Sequence, residues 1–260
     1  MRIVSICPSN TELLAYLEEE GQLVGVDDYS DWPERVNRLP RVGPDLSIDV
    51  AKVAQLQPDL VLASLSVPGM EHNISQLDDA ALPYIILDPD SLEDIANDLR
   101  TLGEAIGLRE KADEKADQFL AELQFYRERA STVSSPPSLY WEWWPKPIFT
   151  PGRPNWLTEI STLAGGWNIF STEDKASVQT DWDDVLERNP EHICMVWVGV
   201  QENKMNPDLL LKRPGWREME AMQKNRVHVL EESLYCRPSP RLLEGLDKLA
   251  RLLHPDLFAG

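Results

Sequence analysis

Three segments of this sequence concentrate large aromatic rings among turn-forming and polar residues: Asp27-Asp28-Tyr29-Ser30-Asp31-Trp32-Pro33, Trp141-Glu142-Trp143-Trp144-Pro145 and Ser233-Leu234-Tyr235-Cys236-Arg237-Pro238. A fourth, Cys7-Pro8-Ser9-Asn10-Thr11-Glu12, carries no ring but offers Ser9 or Asn10 as the cap of a following helix, with open amide groups beside it. The chemistry these residues suit is non-covalent. Rigid rings give broad apolar contact with few rotamers to freeze, which fits a flat, bulky ligand. Tyr29, Trp32, Trp143 and Trp144 are therefore candidate ligand-binding rings, joined by Pro8, Ser9, Asn10, Arg153, Ser233, Leu234, Tyr235, Cys236 and Arg237. Of the nine tryptophans, Trp167, Trp182 and Trp216 are expected in hydrophobic cores instead.

Covalent catalysis finds no comparable set of residues. His72, His192, His228 and His254 are scattered without metal-ligand spacing and read as packing or surface residues. There is no P-loop, no glycine-rich dinucleotide fingerprint, no nucleophile elbow and no zinc motif. Asp27-Asp28 and Asp183-Asp184 read as solvated loop or helix-start pairs. The expectation is a binding protein with no catalytic residues, no metal and no cofactor, the bound small molecule being cargo.

The elements that must position the rings follow from short apolar runs. Ile3–Ile6, Leu23–Val26, Leu60–Ala63 and Tyr84–Leu87 alternate with helical patterns, as parallel strands with helical crossovers do. A second set follows at Leu139–Trp141, Ile193–Val198 and Val227–Leu230. The four ligand-binding segments each follow a strand of one set or the other, where ligands of parallel sheets bind. The halves echo each other: Val53 to Pro58-Asp59 before one strand resembles Val185 to Pro190-Glu191 before another, each a helix stopped by proline. Thr11-Glu12-Leu13-Leu14 with Gly21 resembles Thr158-Glu159-Ile160 with Gly165-Gly166, each a short helix ended by glycine. Between the halves, Ala112, Ala116, Phe119, Leu120, Leu123 and Tyr126 recur at three- and four-residue spacings over Arg109–Ala130, predicting one amphipathic helix without glycine or proline. The expected organisation is an α/β lobe over 1–108, an interlobe helix over 109–131 and a second α/β lobe over 132–260.

Composition narrows the partners. With 42% hydrophobic residues in 260, a sizeable core is available, and a net charge of −19 opposes attraction to nucleic acid or anionic lipid. No apolar run approaches the ~20 residues that span a bilayer. Met1-Arg2-Ile3-Val4-Ser5 enters a strand-like run directly, so the expected location is cytoplasmic, or periplasmic or cell-surface if a leader has been removed. Cys7, Cys194 and Cys236 are odd in number and far apart, and read as free thiols.

With these segments in hand, the chain resembles the family of periplasmic cobalamin- and iron-siderophore-binding proteins nearly end to end. The resemblance rests on Ile6-Cys7-Pro8-Ser9-Asn10-Thr11-Glu12, on Val24-Gly25-Val26 with Tyr29-Ser30-Asp31-Trp32-Pro33, on Leu56-Gln57-Pro58-Asp59-Leu60-Val61, on Ala164-Gly165-Gly166-Trp167-Asn168-Ile169-Phe170, and on Arg237-Pro238-Ser239-Pro240-Arg241. It implies two Rossmann-like lobes joined by a single long helix, the class III periplasmic-binding-protein fold, with the ligand held between lobes. It further implies a corrinoid ligand, lined by Tyr29 and the Ser233–Arg237 loop, and an ABC permease as partner, met by one glutamate on each lobe at the positions of Glu71 and Glu202. Leu234, Tyr235 and Cys236 depart from the tryptophan, phenylalanine and glutamate of the family's cobalamin binder, and Ser64-Leu65 from its cleft tryptophan. A ferric siderophore or haem is the alternative ligand; Arg153, Arg237 and Arg241 are the chief cations available to an anionic chelate. A hydrolase or transferase on two similar lobes is the alternative from another class.

Overall fold

The computed structural model describes residues 1–67 and 69–258. They form two compact units: Met1–Ala121 with Pro238–Pro240, and Glu122–Arg237 with the described residues from Arg241 on.

In the first unit, β1 (Ile3–Ser5), α1 (Pro8–Tyr16), β2 (Leu23–Val26), α2 (Val50–Gln55), β3 (Leu60–Ala63), α3 (Glu71–Asp79), β4 (Tyr84–Ile86) and α4 (Leu92–Ala105) alternate strand and helix. The strands pair in parallel in the order β2-β1-β3-β4. Ile3, Val4 and the whole of β3 are buried, as a parallel sheet covered on both faces requires. Val4, Ile6, Val61 and Ala63 meet Val42, Ile48, Val53 and Leu77 in one apolar cluster. Helix α4 starts on a reciprocal cap between Ser91 and Asp94, which satisfies otherwise orphaned amides.

Helix α5 (Arg109–Ala130) carries the chain from the first unit to the second, and the division between the units falls within it, after Ala121. Its buried residues, Ala112, Ala116, Phe119, Leu123 and Tyr126, keep the spacing that predicted it.

The second unit contains β5 (Ser138–Glu142), β6 (Trp144–Pro145), β7 (Ile148–Pro151), α6 (Trp156–Leu163), β8 (Trp167–Asn168), β9 (Ser177–Thr180), α7 (Trp182–Arg188), β10 (His192–Met195), α8 (Glu220–Gln223), β11 (Val227–Val229) and α9 (Leu242–Leu253). A parallel sheet runs β11-β10-β5-β8, and β6, β7 and β9 form a small antiparallel sheet beside it. Among the described residues no strand is shared between the sheets of the two units.

Three sequence expectations need correction. Proline does not itself stop α2 and α7: Gln57 (φ 48°) and Asn189 (φ 43°) close them in the left-handed conformation, and Pro58 and Pro190 follow. Gly21 does not end α1, because Glu18 (φ 60°) already turns the chain there; Gly165 (φ 80°) does follow α6 as expected. Trp167 is 45% exposed while Trp216 is fully buried and Trp182 half-buried. On the two-residue edge strand β8 side chains alternate, so burial of Asn168 sends Trp167 outward.

Candidate ligand-binding site

In the first unit, β2 ends at a tightly bonded loop. Asp27 is fully buried; its Oδ2 accepts the amides of Tyr29 (2.8 Å) and Ser30 (3.1 Å), and its Oδ1 accepts the Ser30 hydroxyl at 2.5 Å. Arg41 donates through Nη1 to the carbonyls of Asp27 (2.7 Å) and Ser30 (2.6 Å). This fixed base leaves the Tyr29 ring 53% exposed at the strand end, with Trp32 half-buried three residues on. Burial pushes the Asp27 carboxyl up to about 6, against the hydrogen bonds from Ser30 and Tyr29. Leu65 after β3 is half-exposed, at the position where the resemblance puts a cleft tryptophan in the family's cobalamin binder, and Val67 and Leu46 are exposed.

Pro8, Ser9 and Asn10 take a different place from the one expected. The cap of α1 is Cys7, with Pro8 in the first helical turn, so neither Ser9 nor Asn10 caps the helix. All three side chains are buried; Asn10 Nδ2 donates to the Ala63 carbonyl (2.9 Å) and Ser9 Oγ lies 3.2 Å from Cys7 Sγ. They tie α1 to the end of β3. Burial drives the Cys7 thiol up to about 12, which removes it as a nucleophile.

In the second unit the rings sort by strand alternation. Tyr140 and Glu142 face the main core, Trp141 and Trp143 the opposite side. Trp141 packs on Tyr235 (5.6 Å between centroids), and its indole donates to Ser161 Oγ (2.8 Å). Trp143 packs on Trp156 (5.8 Å), whose indole donates to the Tyr235 carbonyl (2.8 Å). The structure thus brings Trp143 and the 233–237 loop together, through a residue the sequence reading passed over, Trp156. Trp143 Nε1 is buried without a partner. On the antiparallel sheet Trp144 pairs with Phe149 across β6 and β7 and is 42% exposed; Ile148 and Val178, on the other face, enter the core. Phe149 is a second ring missed from sequence, its partner visible only once the hairpin register is known.

Tyr235 and Leu234 are corrected from binding residues to core. Tyr235 is fully buried, and its hydroxyl donates to the Gly245 carbonyl at 2.8 Å. Leu234 is buried with it, whereas Ser233, Cys236 and Arg237 are half-buried. The arginines are already committed to acids: Arg153 to Asp174 (2.5 Å), Arg237 to Glu232 (3.2 Å) and Arg241 to Glu244 (3.5 Å). Of the expected docking glutamates, Glu71 is exposed and accepts the Gly69 amide at 2.7 Å, and Glu202 opens an exposed single turn. Among the described residues no three His, Cys, Asp or Glu side chains gather as a metal-binding group, and no helix is long and apolar enough to cross a membrane.

Chains similar to this one are known. Over 99% of its length the chain is 32% identical to an uncharacterized ABC transporter substrate-binding lipoprotein of Bacillus subtilis, covering 81% of that protein. It is 30% identical to a vitamin B12-binding protein of Yersinia pestis, over 96% of this chain and 85% of that one. Among solved structures, the periplasmic vitamin B12 binding protein BtuF of Vibrio cholerae superposes with a TM-score of 0.78 at 26% identity, over 97% and 96% of the two chains. A periplasmic heme-binding protein, RhuT from Roseiflexus sp. RS-1, shares the fold with a TM-score of 0.85 at 24% identity, over 98% of each. The fold is therefore two Rossmann-like lobes joined by a long helix, of the class III type, and it belongs to substrate-binding proteins and not to enzymes. Residues 3–234 match the periplasmic binding protein family, and the chain is a member of that family.

Proposed function

We propose that this chain captures a corrinoid for delivery to an ABC permease. The observation that carries the reading is that each unit holds solvent-facing aromatic rings at the carboxyl ends of its strands, Tyr29 in the first and Trp144 in the second, on rigid supports. Such rings suit the face of a flat macrocycle. The pairing of Arg153, Arg237 and Arg241 with carboxylates disfavours a polyanionic ferric siderophore, which needs cations free to receive it. Vitamin B12-binding relatives at 26–30% identity support the same ligand class.

Haem is the second reading, favoured by the exposed Tyr29 phenol, an oxygen of the type that ligates ferric haem. Titration of the protein with cyanocobalamin, ferric haem and a ferric hydroxamate, followed by tryptophan fluorescence and visible absorbance, separates the readings. Saturable quenching by cobalamin, with a red complex surviving gel filtration, is expected. Saturation by haem alone, with loss of its absorbance change in Tyr29→Phe, would replace corrinoid by haem.

Glu71 stands in this reading as a contact for permease arginines. Its carboxylate is exposed at the start of α3 and engages only a backbone amide of its own turn among the contacts described. Glu71→Ala is expected to leave cobalamin affinity unchanged and to weaken capture by a permease in nanodiscs by about 1–3 kcal/mol. Glu202 is placed in the same role on the second lobe.

A further inference from the structure

Beneath Tyr29 runs a buried chain of oxygen atoms in which the Ser30 bond depends on the proton of Asp27. Asp27 Oδ1 lies 2.5 Å from Ser30 Oγ, Ser30 Oγ 2.8 Å from Thr11 Oγ1, Thr11 Oγ1 2.8 Å from Ser5 Oγ, and Ser5 Oγ 3.0 Å from the Cys7 carbonyl. All four side chains are sealed from solvent. Thr11 Oγ1 also reaches the Cys7 carbonyl at 3.4 Å, so three hydroxyls share five contacts, and each hydroxyl donates one proton. A protonated Asp27 donates to Ser30 Oγ, and Ser30 then donates onward to Thr11, which has Ser5 and the Cys7 carbonyl as acceptors. With Asp27 ionised the Ser30 bond reverses: Ser30 donates to the carboxylate, while Thr11 and Ser5 keep acceptors in the hydroxyls beside them and in the Cys7 carbonyl. That carbonyl also accepts the Thr11 amide at 3.2 Å, so neither state strands a buried group.

We propose that Asp27 is the positioning residue of the Tyr29 loop and that its proton, by setting whether the Ser30 hydroxyl donates to the carboxyl or accepts from it, sets how firmly the loop is held for ligand. The inference rests on the reading of Tyr29 as a ligand-binding ring. The ionised carboxylate accepts three donors, the amides of Tyr29 and Ser30 and the Ser30 hydroxyl, as charge-assisted hydrogen bonds. The protonated acid turns one oxygen into a donor and weakens its hold on the two amides. Other charged or titratable groups facing the site are few. Arg41 grips the flanking carbonyls, Asp45 opposes ionisation, and the Cys7 thiol, driven up to about 12, stays protonated. Burial holds the Asp27 carboxyl at about 6, so the reversal of the Ser30 bond falls near that pH.

Asp27→Asn is the decisive variant, because its amide donates to Ser30 Oγ while its oxygen accepts from the two backbone amides, fixing the protonated arrangement without leaving a hole. With cyanocobalamin as probe, the unsubstituted protein is expected to bind about 3–10-fold more weakly near pH 5 than near pH 8, with a midpoint around 6, and Asp27→Asn to bind weakly and equally at both. An Asp27→Asn protein that keeps the pH dependence, or that matches the unsubstituted protein throughout, overturns the proposal. A readout without ligand separates failure of this idea from failure of the corrinoid reading. Carboxyl-labelled NMR should show Asp27 titrating together with the Tyr29 and Ser30 amide resonances, and Ser30→Ala should raise that midpoint by removing a donor to the ionised form. If cobalamin does not bind at any pH, the ligand reading falls alone; if the amides ignore the Asp27 titration, the positioning role falls, whatever binds.

Discussion

Asp27 and Glu142 face the same physical problem in the two lobes, each a fully buried carboxyl at the end of a strand that leads into aromatic rings. The second lobe meets it with a counter-ion. Glu142 receives Arg213 through two bonds (2.5 and 2.9 Å), with the Trp197 indole (3.1 Å) and the Tyr140 hydroxyl (3.2 Å), while Arg213 stacks over Trp216 at 4.3 Å. The first lobe has hydroxyls and amides where the second has arginine. Strand position accounts for the difference: β5 lies inside its sheet whereas β2 is an edge strand, whose loop turns back on Arg41. A carboxyl held by a buried counter-ion is intolerant of losing that partner. One held by neutral hydroxyls and amides depends on its own proton instead.

The largest expected effect breaks the ion pair. Arg213→Met keeps much of the side-chain bulk over Trp216 but leaves Glu142 buried without its cation, and should destabilise the protein by about 3–5 kcal/mol. The double variant Glu142→Gln with Arg213→Met should recover most of that loss in urea unfolding. A single variant as stable as the double one would show that the pair does not hold the second lobe.

Next in size is an effect on affinity alone. Tyr29→Ala removes a ring that is half in solvent, so the thermal midpoint without ligand should hardly move, while cobalamin affinity should fall by about ten- to a hundredfold. Trp143→Ala should behave differently, because that ring also packs on Trp156 and its loss should lower both. Equal losses of stability in the two variants would erase the distinction between a presented ring and a supporting one.

Tyr29 and Tyr235 show why the fold was more legible than the site. Strands with near-continuous apolar runs and the 3.6-residue period of α5 are local signals, and the sequence carries them openly. Both tyrosines follow a strand end, and nothing local separates them. What buries Tyr235 is Gly245, ten residues on: a Cβ there would stand 2.3 Å from the Leu234 carbonyl and 3.0 Å from the Tyr235 ring. Arg213 lies 71 residues from the glutamate it neutralises. Trp156 was invisible as a wall residue for the same reason, since its indole bond is made 79 residues away. By sequence alone Asp27 reads as half of a solvated pair, because the burial of its carboxyl depends on Thr11 and Ser5, which belong to other elements.

The smallest effect sharpens the comparison through pH. In the second lobe His192 Nδ1 lies 2.9 Å from His228 Nε2 with the rings stacked, and His192 is buried. Burial first, then the charges of His228, Arg226 and His254, press His192 down to about 4, and burial and Arg226 lower His228, while Glu220 partly opposes the shift of His192. A histidine held below its unfolded value of 6.5 leaves the unfolded chain with more bound protons between those limits. The stability of the second lobe is therefore full above about 6.5 and declines as pH falls toward 4. The first lobe carries the opposite linkage: Asp27 held at about 6 and Asp98 at about 7, both raised by burial, favour the folded state as pH falls from those values toward 3.8. Hydrogen exchange followed by mass spectrometry, corrected for the intrinsic pH dependence of exchange, should then show β10 and β11 losing protection in mild acid before β1 and β2 do. His192→Asn places a neutral polar atom where Nδ1 stood and should remove roughly 1 kcal/mol of that acid loss, leaving the first lobe unaffected. Equal acid responses in both lobes, unchanged by His192→Asn, would mean that the buried histidines of one lobe and the buried carboxyls of the other do not set their pH responses.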